Sequence, residues 1–263
     1  MSKQTKKLSI PIQKLIPSIV TILALCLGIT AIRYSLDDKF HIATALIVIA
    51  AFLDGIDGRI ARLLNTTSEF GAQLDSLADL CSFGVAPGVT IYLWSLQEIP
   101  YKGAGWAIVL FYISCSALRL ARFNVLASSE YKNKSKAKEE DGTVGNFFVG
   151  MPMPAAAGLL LIPMMVTFEL FHDNAFLSSY WFMAPYMMMI GFLMVSKLPI
   201  YSAKKVTIPK ERVSIMLVII GMVFTGIILE PWILLPTIGI CYMICISVGI
   251  YFYYKNKRMG DAV

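Results

Sequence analysis

Residues 40–79 read FHIATALIVIAAFLDGIDGRIARLLNTTSEFGAQLDSLAD. An uncharged run from Phe40 to Leu53 leads straight into Asp54 and Asp57. After a short polar stretch a second segment carries Asp75 and Asp79. An apolar run of this kind belongs in a bilayer, where each helix needs about 20 mainly apolar residues. Eight stretches of the chain meet or approach that requirement: 17–36, 40–57, 74–97, 104–125, 152–171, 178–196, 213–229 and 231–254. The second ends in its own acids. The seventh and eighth are split by Glu230-Pro231, where the proline supplies a turn. The fold expected is all-α, a polytopic integral membrane bundle of about eight transmembrane helices with an N-terminal interfacial segment.

Composition agrees. Of 263 residues, 57% are hydrophobic and only 15% charged, with a mean hydropathy of +0.68. A soluble domain carries about 25% charged residues. The net charge of +6 does not point to nucleic acid, because the basic residues lie between apolar runs and so report topology. With the N-terminus inside, only Arg33, Lys39 and Lys102 of the 23 Lys and Arg face outward. Both termini and the loops 58–73, 126–151 and 197–212 are therefore expected on the cytoplasmic side of the cell membrane. The first apolar run is long for a signal peptide and lacks a small-x-small cleavage site, so it reads as a retained helix. The five cysteines, Cys26, Cys81, Cys115, Cys241 and Cys245, form no metal or disulfide pattern and read as small buried apolar residues. His41 and His172 fall on the outer side, far from the acids, and are assigned no catalysis.

Charge inside a membrane is costly and marks function. The pairs Asp54/Asp57 and Asp75/Asp79 are spaced by three and four residues, which sets each pair on one helix face. An antiparallel hairpin brings the pairs together near the cytoplasmic boundary. Four carboxylates there repel one another, and a bound divalent cation removes the conflict. An all-oxygen set selects Mg²⁺, Mn²⁺ or Ca²⁺ over zinc. Gly55, Gly58 and Gly71 allow close approach of backbone or ligand, and Arg62, one turn beyond Gly58, is placed to meet an anion. Helix capping and an ion-coupled transport site are the competing readings. Metal-dependent phosphate chemistry fits the whole set better, since two metals can clamp attacking and leaving oxygens.

The spacing Asp54-x2-Asp57-Gly58-x2-Ala61-Arg62-x8-Gly71-x3-Asp75-x3-Asp79 resembles the complete signature of the CDP-alcohol phosphatidyltransferases. Three further stretches resemble those of the bacterial and archaeal members that make phosphatidylserine: Ser82 to Pro87, Arg119 to Asn124, and Phe148 to Ala155. Together with the signature they cover roughly residues 54–155. One departure is Pro17-Ser18-Ile-Val-Thr21, where many members have Pro-Asn-x-x-Thr.

The resemblance implies a membrane enzyme, a homodimer, that passes the phosphatidyl group of CDP-diacylglycerol to L-serine and releases CMP among membrane lipids. Asp54, Asp57 and Asp75 would hold Mg²⁺ or Mn²⁺ (or bind Ca²⁺), two ions per site, with Asp79 completing the second ion's ligands or acting as general base. Gly58, Ala61, Arg62, Gly71, Ser18 and Thr21 would bind the CDP-lipid. Arg119, Arg122, Asn124, Gly150 and Pro152 are expected at the acceptor or phosphate. On this reading 1–16 is an interfacial segment, 17–196 the catalytic core, 197–212 a cytoplasmic loop and 213–263 a C-terminal helix pair and tail. Rival readings are another acceptor, such as glycerol 3-phosphate or an inositol compound, and a cation-coupled transporter.

Overall fold

The protein is seen in a computed structural model that describes residues 15–63, 68–101, 103–134, 147–149, 151–169, 175–196, 199–201 and 213–260. The described residues are helical almost throughout. The first hairpin pairs α1 (Ile16–Leu36) with α2 (Phe40–Leu63). Pro17 suits the first turn of α1, where its missing N–H costs nothing. At the other end Asp38 takes φ 58°, and the Lys39 N–H reaches the Tyr34 carbonyl at 2.9 Å. The inner face of α1 is Pro17, Thr21, Ala24, Gly28, Ala31 and Ser35. That alternation of four and three puts small residues in one seam and lets the backbones approach.

The third membrane helix is three segments in one: α3 (Glu69–Asp79), a π-helical turn (Leu80–Val85) and α4 (Ala86–Trp94). Ser68 caps its start, accepting the Gly71 N–H at 3.0 Å. The helix therefore begins five residues before the expected position 74, because a cap and a polar first turn can form outside the lipid. Likewise α2 continues to Leu63, past its acids, and α5 (Ala104–Lys134) runs beyond the apolar part. The expected loop 58–73 thus narrows to a short link, of which 64–67 lie outside the described residues.

α6 (Met153–Glu169), α7 (Ala175–Ser178), α8 (Tyr180–Val195), α9 (Val213–Leu229) and α10 (Pro231–Gly260) complete the bundle. α8 packs on α5, and α10 packs on α6. Before α6 and after α8, β1 (Phe147–Val149) and β2 (Pro199–Tyr201) pair antiparallel with Phe148 opposite Ile200. This ribbon is too short to carry a sequence period.

Each expected apolar stretch corresponds to a helix. Four are long and apolar enough to cross a membrane: Ile16–Leu36, Phe40–Ile60, Phe70–Trp94 and Ala104–Val125. The apolar parts of the other four are shorter, Met153–Glu169, Tyr180–Val195, Ser214–Leu229 and Pro231–Cys245. A helix of 17 residues rises about 25 Å, somewhat less than the hydrocarbon thickness. The core is apolar and methionine-rich, built on Phe83, Ile91, Tyr112, Leu160, Met164 and Met187. Large apolar side chains such as Ile19, Ile29, Leu118 and Ile219 are exposed, as lipid-facing surfaces require. The cysteines depart from expectation. Cys115 is buried, Cys81 half-buried, and Cys26, Cys241 and Cys245 are exposed, because an apolar residue in a bilayer has no need to go inside. His41 stacks on Phe168 at 3.7 Å and meets Trp232 edge-on. These residues lie where α2 and α10 begin and α6 ends. His172 is outside the described residues.

Candidate active site

Two helix faces make the centre of the site. Asp54 and Asp57 stand on α2 and Asp75 on α3, and the three carboxylates each bring an oxygen within 4.8 Å of the others. Asp57 is buried at 3% exposure, while Asp54 and Asp75 are half-buried. The fourth acid, Asp79, lies one turn deeper, where α3 passes into the π turn. Its carboxyl interacts electrostatically with Asp54. Asp79 Oδ1 is also buried with no hydrogen-bond partner. Three converging hard oxygen donors beside an unpartnered fourth fit a divalent cation of the Mg²⁺, Mn²⁺ or Ca²⁺ kind.

Neighbouring helices hold these acids in place. The buried Thr21 hydroxyl of α1 donates to Asp57 Oδ2 at 2.6 Å and lies 3.0 Å from the Pro17 carbonyl. Thr21, expected at the donor lipid, is here tied to an acid of the cluster. Ser18 lies beside Gly71: a Cβ on Gly71 would meet Ser68 Oγ at 3.1 Å and Ser18 Oγ at 4.0 Å. On the open side, a Cβ at Gly55 or Gly58 would meet nothing within 4 Å, which leaves room beside the acids. Ala61 and Arg62 belong to α2, but their side chains lie outside the described residues.

From α5, the Arg119 guanidinium is within electrostatic reach of Asp79 and sits 5.9 Å from the Phe123 ring centre. Asn124 pairs with Ser76, its amide N–H donating to Ser76 Oγ at 3.1 Å. That contact fastens the helix of Asp75 and Asp79 to the helix of Arg119. Arg122 turns away, donating to the Val195 carbonyl at the end of α8 at 3.1 Å. Pro152 opens α6, its carbonyl accepting from the Ala156 N–H at 3.0 Å. Gly150 is outside the described residues.

The π turn seats closely on α1. A Cβ at Gly28 would fall 2.7 Å from Ser82 Cα, and Ser82 Oγ donates to the Ala24 carbonyl at 3.2 Å. Sequence reading picked out neither Ser76 nor Ser68, since each acts through one tertiary or capping bond and neither belongs to a spacing pattern. Tyr242 of α10, within electrostatic reach of Arg119, was equally invisible among apolar neighbours.

Fold and site together define a polytopic helical membrane protein with a carboxylate cluster suited to a divalent cation and phosphate. A family model described as CDP-alcohol phosphatidyltransferase matches residues 14–195, and the chain belongs to that family. It is 36% identical, over 90% of its length and 78% of the relative's, to the CDP-diacylglycerol–serine O-phosphatidyltransferase of Mycobacterium bovis. Proteins of the same name in Helicobacter pylori strain 26695 and Bacillus subtilis are 32% and 34% identical. Those matches cover 80% and 72% of this chain and 81% and 92% of the relatives.

Proposed function

We propose that the protein transfers the phosphatidyl group of CDP-diacylglycerol to the hydroxyl of L-serine and releases CMP. The observation that carries this reading is the convergence of Asp54, Asp57 and Asp75 beside the unpartnered Asp79 Oδ1. The relatives' shared name points to serine as the acceptor and favours the enzyme over a cation-coupled transporter.

Asp54, Asp57 and Asp75 would hold Mg²⁺ or Mn²⁺, and Asp79 with Asp54 can extend the set to a second ion. The cation, when bound, supplies charge neutralisation for the pyrophosphate and for the departing CMP. Asp79 Oδ1 takes the proton of the serine hydroxyl as the serine oxygen bonds to the phosphorus bearing the diacylglycerol. The bond from that phosphorus to the CMP oxygen breaks, and the pair of electrons leaves with CMP. Arg119, beside Asp79, offers its guanidinium to the serine carboxylate or a donor phosphate. Gly58 leaves its side of α2 open for the nucleotide, with Ala61 and Arg62 one turn further along. The enzyme would work as a homodimer in the cytoplasmic membrane, with its site and both termini on the cytoplasmic side.

The test is CMP release by the purified protein in detergent with CDP-diacylglycerol and Mn²⁺ or Mg²⁺, one acceptor at a time. Release that needs L-serine is expected. Asp79→Asn should lower kcat by about 10²–10⁴-fold while donor binding persists. Release with glycerol 3-phosphate or an inositol compound but not serine would overturn the acceptor. A loss of donor binding equal to the loss of turnover would make Asp79 a cation ligand alone.

A further inference from the structure

Asp79 is followed at once by the π turn, Leu80–Val85, which takes in most of the stretch Ser82 to Pro87. Here the chain bonds five residues back in place of four, as from the Ala86 N–H to the Cys81 carbonyl. Such turns are rare and occur frequently at functional sites. One extra residue swings everything beyond it by about 100°. The turn therefore lets α4 pack on α1 and α5 while Asp79 stays within electrostatic reach of Asp54 and Arg119.

Two neighbouring helices hold the turn. On α1, the Ser82 hydroxyl donates to the Ala24 carbonyl, and the bare Gly28 admits the Ser82 backbone. On α5, the fully buried Tyr112 hydroxyl donates to the Phe83 carbonyl. Gly84 lies against Ser116 of the same helix, where a Cβ would come within 3.2 Å of the serine Cβ. Phe83, 1% exposed, belongs to one packed cluster with Ala24, Ala50, Leu120 and Met153. Those residues stand three past Thr21, four before Asp54, and next to Arg119 and Pro152. The turn is thus wedged among the helices that carry the site, and Asp79, one residue before it, moves with it.

We propose that the π turn is the positioning device for Asp79, and that Tyr112 and Ser82 are the positioning residues that hold it, aiming the carboxyl without touching substrate. The inference rests on the phosphatidyl-transfer reading above. An ordinary α turn is the commoner form of a helix, so a π turn freed of either hydroxyl can relax towards it. The extra residue is then taken up elsewhere, and Asp79 rotates away from the reacting hydroxyl. Asp54, Asp57 and Asp75 lie before the turn and keep their places.

The experiment measures CMP release from CDP-diacylglycerol and L-serine by the full-length protein carrying Tyr112→Phe or Ser82→Ala, each alone and each combined with Asp79→Asn. Alone, each is expected to lower kcat, by as much as about 10²-fold for a misplacement of about 1 Å, while the KM for CDP-diacylglycerol holds. In the Asp79→Asn background neither should lower kcat further, because effects that pass through one group do not add. A loss of packing alone would act equally in both backgrounds. The second variant, on a different helix contact, guards against a folding defect peculiar to the first. An unchanged kcat in both single variants, or losses that multiply with that of Asp79→Asn, overturns the assignment and leaves the turn a packing element. A native protein that releases no CMP with serine overturns the reaction itself, a result separable from either of these.

Discussion

Thr21 and Asp57 are 36 residues apart, and their 2.6 Å contact joins α1 to the acid cluster. It fixes which oxygen of Asp57 remains free to face a cation. Groups that orient metal ligands in this way are worth about 10–100-fold in affinity or activity. Thr21→Val keeps the shape and removes the donor, so Mn²⁺ affinity measured by calorimetry is expected to fall by about that factor. Thr21→Ser should restore most of it, and an unaltered Thr21→Val would deny the hydroxyl any such role. The four acids were legible from the sequence because period and charge both single them out. Thr21's partner was not, since a hydroxyl in an apolar helix can turn to any of several neighbours. Arg122 teaches the same lesson. The family-like stretch Arg119 to Asn124 set it at the acceptor or phosphate, and its guanidinium also closes the last turn of α8 at the Val195 carbonyl.

Among the helices, two prolines are answered by tyrosines from across the bundle. Pro87 has no N–H for the Phe83 carbonyl four residues back, and the fully buried Tyr112 hydroxyl donates to that carbonyl at 3.1 Å. Pro163 likewise forsakes the Leu159 carbonyl, which takes the Tyr186 hydroxyl at 2.7 Å. In a bilayer no water arrives to fill such a gap. Tyr112→Phe and Tyr186→Phe are each expected to cost about 1–3 kcal/mol, read as a lower Tm in detergent. A Tm unmoved in both would mean that the carbonyls find other donors. The apolar runs announced where the helices are, since hydropathy is summed over many residues. Their ends were less legible, because caps such as Ser68 and polar extensions such as that of α5 obey water and not lipid. The π turn and the β1–β2 ribbon have no sequence period of their own and come only with the packed bundle.

At the scale of the molecule, the acids, Thr21, Arg119 and the start of α6 all gather towards one end, and the His41–Phe168–Trp232 cluster marks the other. The distribution of Lys and Arg leads us to propose that the acidic end faces the cytoplasm. Single cysteines in an otherwise cysteine-free protein test this in sealed right-side-out vesicles. A cysteine at Asp37 should react with an impermeant maleimide, and one at Lys138 should react only after the vesicles are opened. The reverse pattern would invert the topology and place the donor's nucleotide outside the cell.

α1 touches two parts of the machinery at once, through Thr21 on Asp57 and through Gly28 on Ser82 just past Asp79. Those contacts are seven residues apart, close to two full turns, so both can face the same way. Each added or lost residue swings everything beyond it by about 100°. The helix thus acts as a gauge block. Substitutions along its outer, lipid-facing side can drift freely, but a single insertion or deletion between Thr21 and Gly28 would unseat one end or the other, leaving a chain that still inserts and no longer aligns its acids.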